Sequence, residues 1–228
     1  MRLKALIFLL TLPFSTLAQA QSAPARYDVI LENEKIAAFR LDLAAHQRAP
    51  VYQNTHEVLW VALQGGNVTV TRQDNSEQRL ALSAGDVRFY PSFQTKAIMN
   101  EGATEFHGVL IQIKPRGLTW NPCECLGKAE QAVCGCNTAD RLPSLWAVGL
   151  GGVTVGGTTL APGQAFLGVG VRGDTLLLAL TPVQLVDLAA PGREKIRLQP
   201  GEAQWVPRGS HKFQNVGDAP ARYVTVEF

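Results

Sequence analysis

The sequence predicts an all-β protein built from two copies of one strand-rich unit. Short alternating runs of apolar and polar residues dominate the chain, and long helical periodicity is absent. Gly (21) and Pro (13) are frequent while charged residues make up only 18%, a mix that suits many short strands joined by tight turns. The strand-like blocks also recur in the same order at a nearly constant offset.

The elements follow in chain order. Val68-Thr69-Val70-Thr71 alternates, and Leu80-Ala81-Leu82 runs through the turn Ser83-Ala84-Gly85-Asp86 into Val87-Arg88-Phe89-Tyr90, which Pro91 ends. Phe106 to Ile113 reads as a further strand. Leu43 to Leu63 aligns without gaps onto Leu160 to Leu180, so that Glu57 to Leu63 lies over Asp174 to Leu180. Gly85, Asp86, Pro91 and Asn100 recur as Gly201, Glu202, Pro207 and Asn215, and Phe106 to Ile113 recurs as Ala221 to Phe228. Each copy is a domain of about 90 to 100 residues. The Gly-rich stretch Gly149 to Gly157 sits in a strand pattern, Val153-Thr154-Val155, and reads as close packing or a bulge rather than a phosphate loop. The one cluster of helix formers, Lys128 to Ala132, allows a single short turn of helix.

The N-terminus reads as an export signal. Arg2 and Lys4 precede the apolar run Ala5 to Leu17, and Ala18-Gln19-Ala20 is a small-residue cleavage site. The run is shorter than the ~20 residues a membrane span needs. No Cys follows the cleavage site to carry a lipid, and no other stretch is apolar enough to span. Removing residues 1–20 of 228 leaves 208 residues with 19 basic and 19 acidic side chains, a neutral balance that argues for neither nucleic acid nor an anionic membrane as partner. The expected location is periplasmic or extracellular. The expected domains are a leader over 1–20, a first strand-rich copy over 21–119, a Cys-rich linker over 120–141 and a second copy over 142–228.

The linker holds all four cysteines, as Cys123-Glu124-Cys125 and Cys134-Gly135-Cys136. Four close thiols invite a zinc reading, but C-x-C is shorter than the usual ligand spacing and export favours disulfides. Two bridges are expected, with three connectivities open. The nested one, Cys123 with Cys136 and Cys125 with Cys134, suits a short hairpin.

The second block of each copy resembles the second cupin motif. In the C-terminal copy it falls on Gly201, Pro207, Gly209, His211 and Asn215, with one residue fewer between Gly209 and His211. In the N-terminal copy it falls on Gly85, Pro91, Phe93, Lys96 and Asn100. The first cupin motif falls on His46, Tyr52, Asn54, Val58 and Gly65, and again on Gly163, Val169, Val171, Thr175 and Pro182. The chain is therefore similar to a bicupin. The resemblance implies two tandem jelly-roll barrels, joined by the Cys-rich linker, with a pocket at the centre of each.

In metal-binding cupins the two motifs bring three His and one Glu around the ion. Here those positions carry Tyr52, Asn54, Val58 and Lys96 in one copy, and Val169, Val171, Thr175 and His211 in the other. One imidazole is not a metal site, and an ammonium repels a cation. No cofactor is expected. Tyr52, Asn54 and His56 share strand parity and should face one cavity with Lys96, where they would hold an acidic or hydroxylated small molecule. His211 reads as a ligand contact, a general base or a hydrogen-bonded core histidine. His46 occupies a turn-glycine position, and His107 has no identifiable partner. Two function classes follow: a non-catalytic exported binding or structural protein, or a cupin-type isomerase, epimerase or dioxygenase whose rearranged site would use His56, Lys96 and His211.

Overall fold

The computed structural model describes residues 24–52, 55–90, 95–114, 124–125, 145–150, 153–166, 173–190, 192 and 194–228. Among these the regular structure is all strand. The first copy supplies β1 (Tyr27–Glu32), β2 (Ile36–Leu43), β3 (Glu57–Ala62), β4 (Gly66–Arg72), β5 (Glu77–Leu82), β6 (Val87–Tyr90), β7 (Thr95–Asn100) and β8 (Phe106–Ile113). A two-residue strand, β9 (Glu124–Cys125), follows. The second copy supplies β10 (Leu145–Leu150), β11 (Val153–Leu160), β12 (Thr175–Ala179), β13 (Val183–Asp187), β14 (Lys195–Leu198), β15 (Ala203–Val206), β16 (Phe213–Asn215) and β17 (Ala221–Glu227).

The repeat read from sequence is a repeat of topology. In the first copy, strands β1-β2-β8-β3-β6 form one sheet and β5-β4-β7 the other. In the second, β10-β11-β17-β12-β15 and β14-β13-β16 reproduce both orders, with β9 added at the outer edge of β10. All pairings are antiparallel, so every strand presents one face to its own barrel and one face away from it. The repeat holds at single atoms. Gln47 Oε1 accepts the Ala44 N–H and Gln164 Oε1 accepts the Ala161 N–H, each at 2.8 Å. His46 (φ 58°) sits in the left-handed turn position that Gly163 (φ 75°) fills in the other copy, and its side chain is exposed.

Period two separates three cores. In β3, Val58, Trp60 and Ala62 face the first barrel's interior, while Leu59 and Val61 face the other barrel. The second interior is built on Leu177, Ala179, Leu185, Phe213 and Tyr223. A third core joins the two larger sheets. Ile36, Ala38, Leu59, Ile111 and Ile113 pack against Val155, Leu176, Leu178, Val224 and Val226, all 2% exposed or less. Each fully buried aliphatic side chain contributes about 1.5–3 kcal/mol relative to exposure, so this seam ties the copies into one unit.

The rim of the seam has a reciprocal lock. A Cβ on Gly85 would stand 3.1 Å from Leu180 Cδ1, and a Cβ on Gly201 would stand 2.8 Å from Leu63 Cδ1. Leu63 and Leu180 occupy equivalent positions, as do Gly85 and Gly201. Lys35 Nζ also reaches Asp174 Oδ2 across the seam at 2.7 Å. Both are open to solvent, so the pair adds little to stability.

Candidate functional site

The inward layer of each barrel decides what the barrel can hold. Trp60 on β3 is 1% exposed and fills the first interior, with ring contacts to Phe106 at 5.6 Å and Tyr90 at 6.5 Å. It fits because β8 presents Gly108 beneath it, where a Cβ would stand 2.6 Å from the indole Nε1. In the second barrel the large residue comes from the facing strand: Leu177 holds the Trp60 position and Tyr223 the Gly108 position, packed opposite Ala179. Burial raises the Tyr223 phenol well above its ordinary pKa.

Between Tyr52, Val58, Trp60, Tyr90, Ile98 and Leu110 the first interior retains a cavity of only about 10 Å³. That volume is near the lower limit for a single water. Tyr52 reaches it from outside the strands, packed on Tyr27 at 5.0 Å and edge-on to Phe39 at 6.4 Å. Burial pushes its phenol up to about 12, with Gln112 nearby lowering it slightly. Burial also holds the Tyr90 phenol at about 12. Among the described residues, neither the Tyr52 hydroxyl nor the Trp60 Nε1 has a partner at hydrogen-bonding distance and angle.

Strand parity, on which the expected common direction of Tyr52 and His56 rests, does not apply to either residue. Tyr52, Thr55 and His56 lie outside the strands and β3 begins at Glu57, so alternation cannot relate their directions. Tyr52 packs inward, whereas the His56 Nδ1 meets the Thr55 hydroxyl at 3.0 Å. Glu57 does fall on the face of Leu59 and Val61, away from the interior, as its position predicts. Asn54 lies outside the described residues. Lys96 lies in β7, but its side chain is outside them too. So are Val169 and Val171, Cys123, Cys134 and Cys136, and the helix formers at 128–132. Cys125 is described as backbone of β9, opposite Val148.

The other motif positions are occupied by groups that do not fit a metal. Val58 is 3% exposed and has no donor atom. Thr175 is buried and its hydroxyl donates to the Gly173 carbonyl at 3.2 Å. His211 is held at both ring nitrogens, Nδ1 by Asp187 Oδ2 at 2.6 Å and Nε2 by the Pro207 carbonyl at 2.8 Å. Both neighbours are acceptors, so the imidazolium is the form that serves them. Burial alone would lower the His211 pKa, but the Asp187 carboxylate and the Pro207 carbonyl outweigh it and raise it. Asp187 also accepts the N–H groups of Lys212 and Ala189, each at 2.9 Å. Burial opposes its charge, and these donors with His211 hold its pKa below the usual carboxylate value. Gly209 completes the motif sterically, because a Cβ there would stand 2.9 Å from His211 Nε2.

The motif asparagines tie loops to strands. Asn100 Nδ2 donates to the carbonyls of Ala44 at 2.9 Å and Thr104 at 2.7 Å, and its Oδ1 accepts the Gly102 N–H. Asn215 does the same with Leu160, Ala219 and Gly217. His107, for which the sequence shows no partner, has one: its Nδ1 lies 2.6 Å from Asp42 Oδ1, directly across the β2–β8 pairing. Among the described residues no group of three or more His, Cys, Asp or Glu is arranged to hold a metal ion.

The two barrels, each a larger and a three-stranded antiparallel sheet, define a two-barrel cupin jelly roll. No protein-family model matches the sequence, and no curated protein does. The fold is similar to AerE from Microcystis aeruginosa, with TM-score 0.66 and 9% identity over 91% of this chain and 94% of that one. It is similar to vicilin from Corylus avellana (hazelnut), with TM-score 0.64 and 12% identity over 89% and 82%. A variant of oxalate decarboxylase from Bacillus subtilis gives TM-score 0.63 and 12% identity over 89% and 72%. The likeness is one of fold.

Proposed function

We propose that this protein is an exported, non-catalytic bicupin, in which the barrels are packed scaffolds and any small acidic ligand is met at the mouth of the N-terminal barrel. The observation that carries this reading is the filling of the barrel centres. Trp60 and Tyr223 occupy them, and the cavity beside Trp60 is about 10 Å³, far below the ~300 Å³ at which ligand pockets begin. The motif positions support it: Val58 offers no donor, Thr175 is satisfied, and both nitrogens of His211 are engaged. Lys96 is the proposed anion contact, beside Tyr52, Asn54 and His56. The leader, the linker disulfides and export remain part of the proposal on sequence grounds. The enzyme reading would need His56, Lys96 and His211 as its chemistry, and the two hydrogen bonds on His211 weigh against it.

The test is elemental analysis of the purified mature protein, with a thermal-shift screen of acidic metabolites on wild type and Lys96→Met. The expected result is substoichiometric transition metal and a ligand-induced shift that Lys96→Met removes. A stoichiometric transition metal, or turnover of any screened acid, overturns the non-catalytic reading. A shift that survives Lys96→Met overturns the role of Lys96.

A further inference from the structure

The two copies differ on the outward faces of their three-stranded sheets. In the first copy this face is covered. The Arg48 guanidinium donates to Thr71 Oγ1 at 2.9 Å, and Thr69 Oγ1 donates to Glu101 Oε1 at 2.7 Å. By the repeat, Ala165 and Val216 stand in place of Arg48 and Glu101, and Val186 and Leu188 in place of Thr69 and Thr71. The covering side chains and the groups that held them are all replaced by apolar ones, and the second copy's face is an open groove of about 410 Å³.

The groove combines two features. Lys195 and Arg197 are exposed on its β14 side, in register with Val186 and Gln184, and neither has an ion-pair partner among the described residues. Leu188 and Val216 are 37% and 51% exposed at its β13 and β16 sides, two of the four large apolar side chains so exposed among the described residues. Water must order around exposed aliphatic surface, and uncompensated cations attract carboxylates. The lining includes no aromatic face, so a sugar ring has nothing to stack on.

We propose that this groove docks an acidic peptide segment of a partner protein, with carboxylates on Lys195 and Arg197 and an aliphatic side chain between Leu188 and Val216. The proposal does not depend on what the barrel centres hold. The test uses the full mature protein and a fluorescein-labelled peptide of alternating Glu and Leu, read by fluorescence anisotropy at low and high salt. Wild type should bind, and more weakly as salt rises. Lys195→Glu with Arg197→Glu should weaken binding by at least about tenfold, because like charges then face each other. Leu188→Ser with Val216→Ser should weaken it at either salt concentration. Arg79→Glu, on the equivalent strand of the covered face, should leave it unchanged. All five substituted side chains are exposed, and matching melting temperatures confirm that the variants fold. No binding by wild type overturns the proposal, whether the groove is empty or filled by residues 115–144. So does equal loss in Arg79→Glu, or self-association that the charge reversals abolish, which would assign the groove to a second copy.

Discussion

The indole of Trp60 occupies the space that a side chain at Gly108 would need, and the second barrel reverses the pair by placing Leu177 and Tyr223 at the same two positions. At this pair of positions each barrel therefore carries one aromatic residue, on β3 in one copy and on β17 in the other. The two copies thus place their bulk at this pair of positions in opposite order.

That relationship predicts a specific coupling. Gly108→Ala should destabilise the protein by about 1–3 kcal/mol, since a methyl 2.6 Å from the indole nitrogen forces backbone or ring to move. Trp60→Leu should cost about 2 kcal/mol or more through the cavity it leaves. Combining Trp60→Leu with Gly108→Tyr copies the second barrel and should recover part of the loss. Urea denaturation of the three variants measures this, and strictly additive costs would show that the two positions do not share one space.

At the seam, Gly201→Ala should cost about 1–2 kcal/mol, because Gly201 has φ 82° and faces Leu63 Cδ1 at 2.8 Å. Trimming Leu63 to Ala in the same chain should relieve the contact but not the backbone strain. Thermal melts of the single and double variants separate the two contributions. A Gly201→Ala protein as stable as wild type would remove the lock.

The parts of this fold legible in sequence are those fixed by short-range geometry. Glycines at 85 and 201 mark left-handed turns, and His46 over Gly163 marks another, so the repeat could be aligned before any coordinates. Strand alternation along β3 also places Glu57 off the barrel face, with Leu59 and Val61. The misses are non-local or volumetric. Tyr52 does face the interior, but strand parity could not tie His56 to it, because neither residue lies in a strand and parity means nothing outside one. His107 meets Asp42 through the β2–β8 register, and His211 meets Asp187 at the end of β13, 24 residues away. Alternation also says that Trp60 points inward without saying how little room remains beside it.

The four cysteines should titrate as no free thiols in the oxidised, denatured protein. The expectation rests on their even number and clustering, and on the proposal that the chain is exported. Bridges closing such short loops contribute about 2–3 kcal/mol each, so reduction should lower the melting temperature. Peptide mapping under non-reducing conditions identifies the connectivity. Four titratable thiols, or a zinc ion that they hold, would be the contrary result.

The His211–Asp187 pair should make stability depend on pH in two opposite senses. The folded His211 pKa is raised above its ordinary value of 6.5, so its contribution is full below that pH and is lost as pH rises through the folded value. The folded Asp187 pKa is lowered below 3.8, so its contribution is full above that pH and is lost as pH falls through the folded value. The clamp therefore works best between about pH 4 and 6.5. Deprotonated His211 can keep its Nδ1–H on Asp187, but Nε2 then turns a lone pair toward the Pro207 carbonyl and that bond goes. His211→Gln should cost about 1.5–3 kcal/mol at pH 5.5, the range for a hydrogen bond to a charged group, and visibly less at pH 9. Chemical denaturation of both proteins across that range reads the difference. A cost that stays constant with pH would mean that His211 does not change protonation state across that range, against the clamp's expected pH dependence.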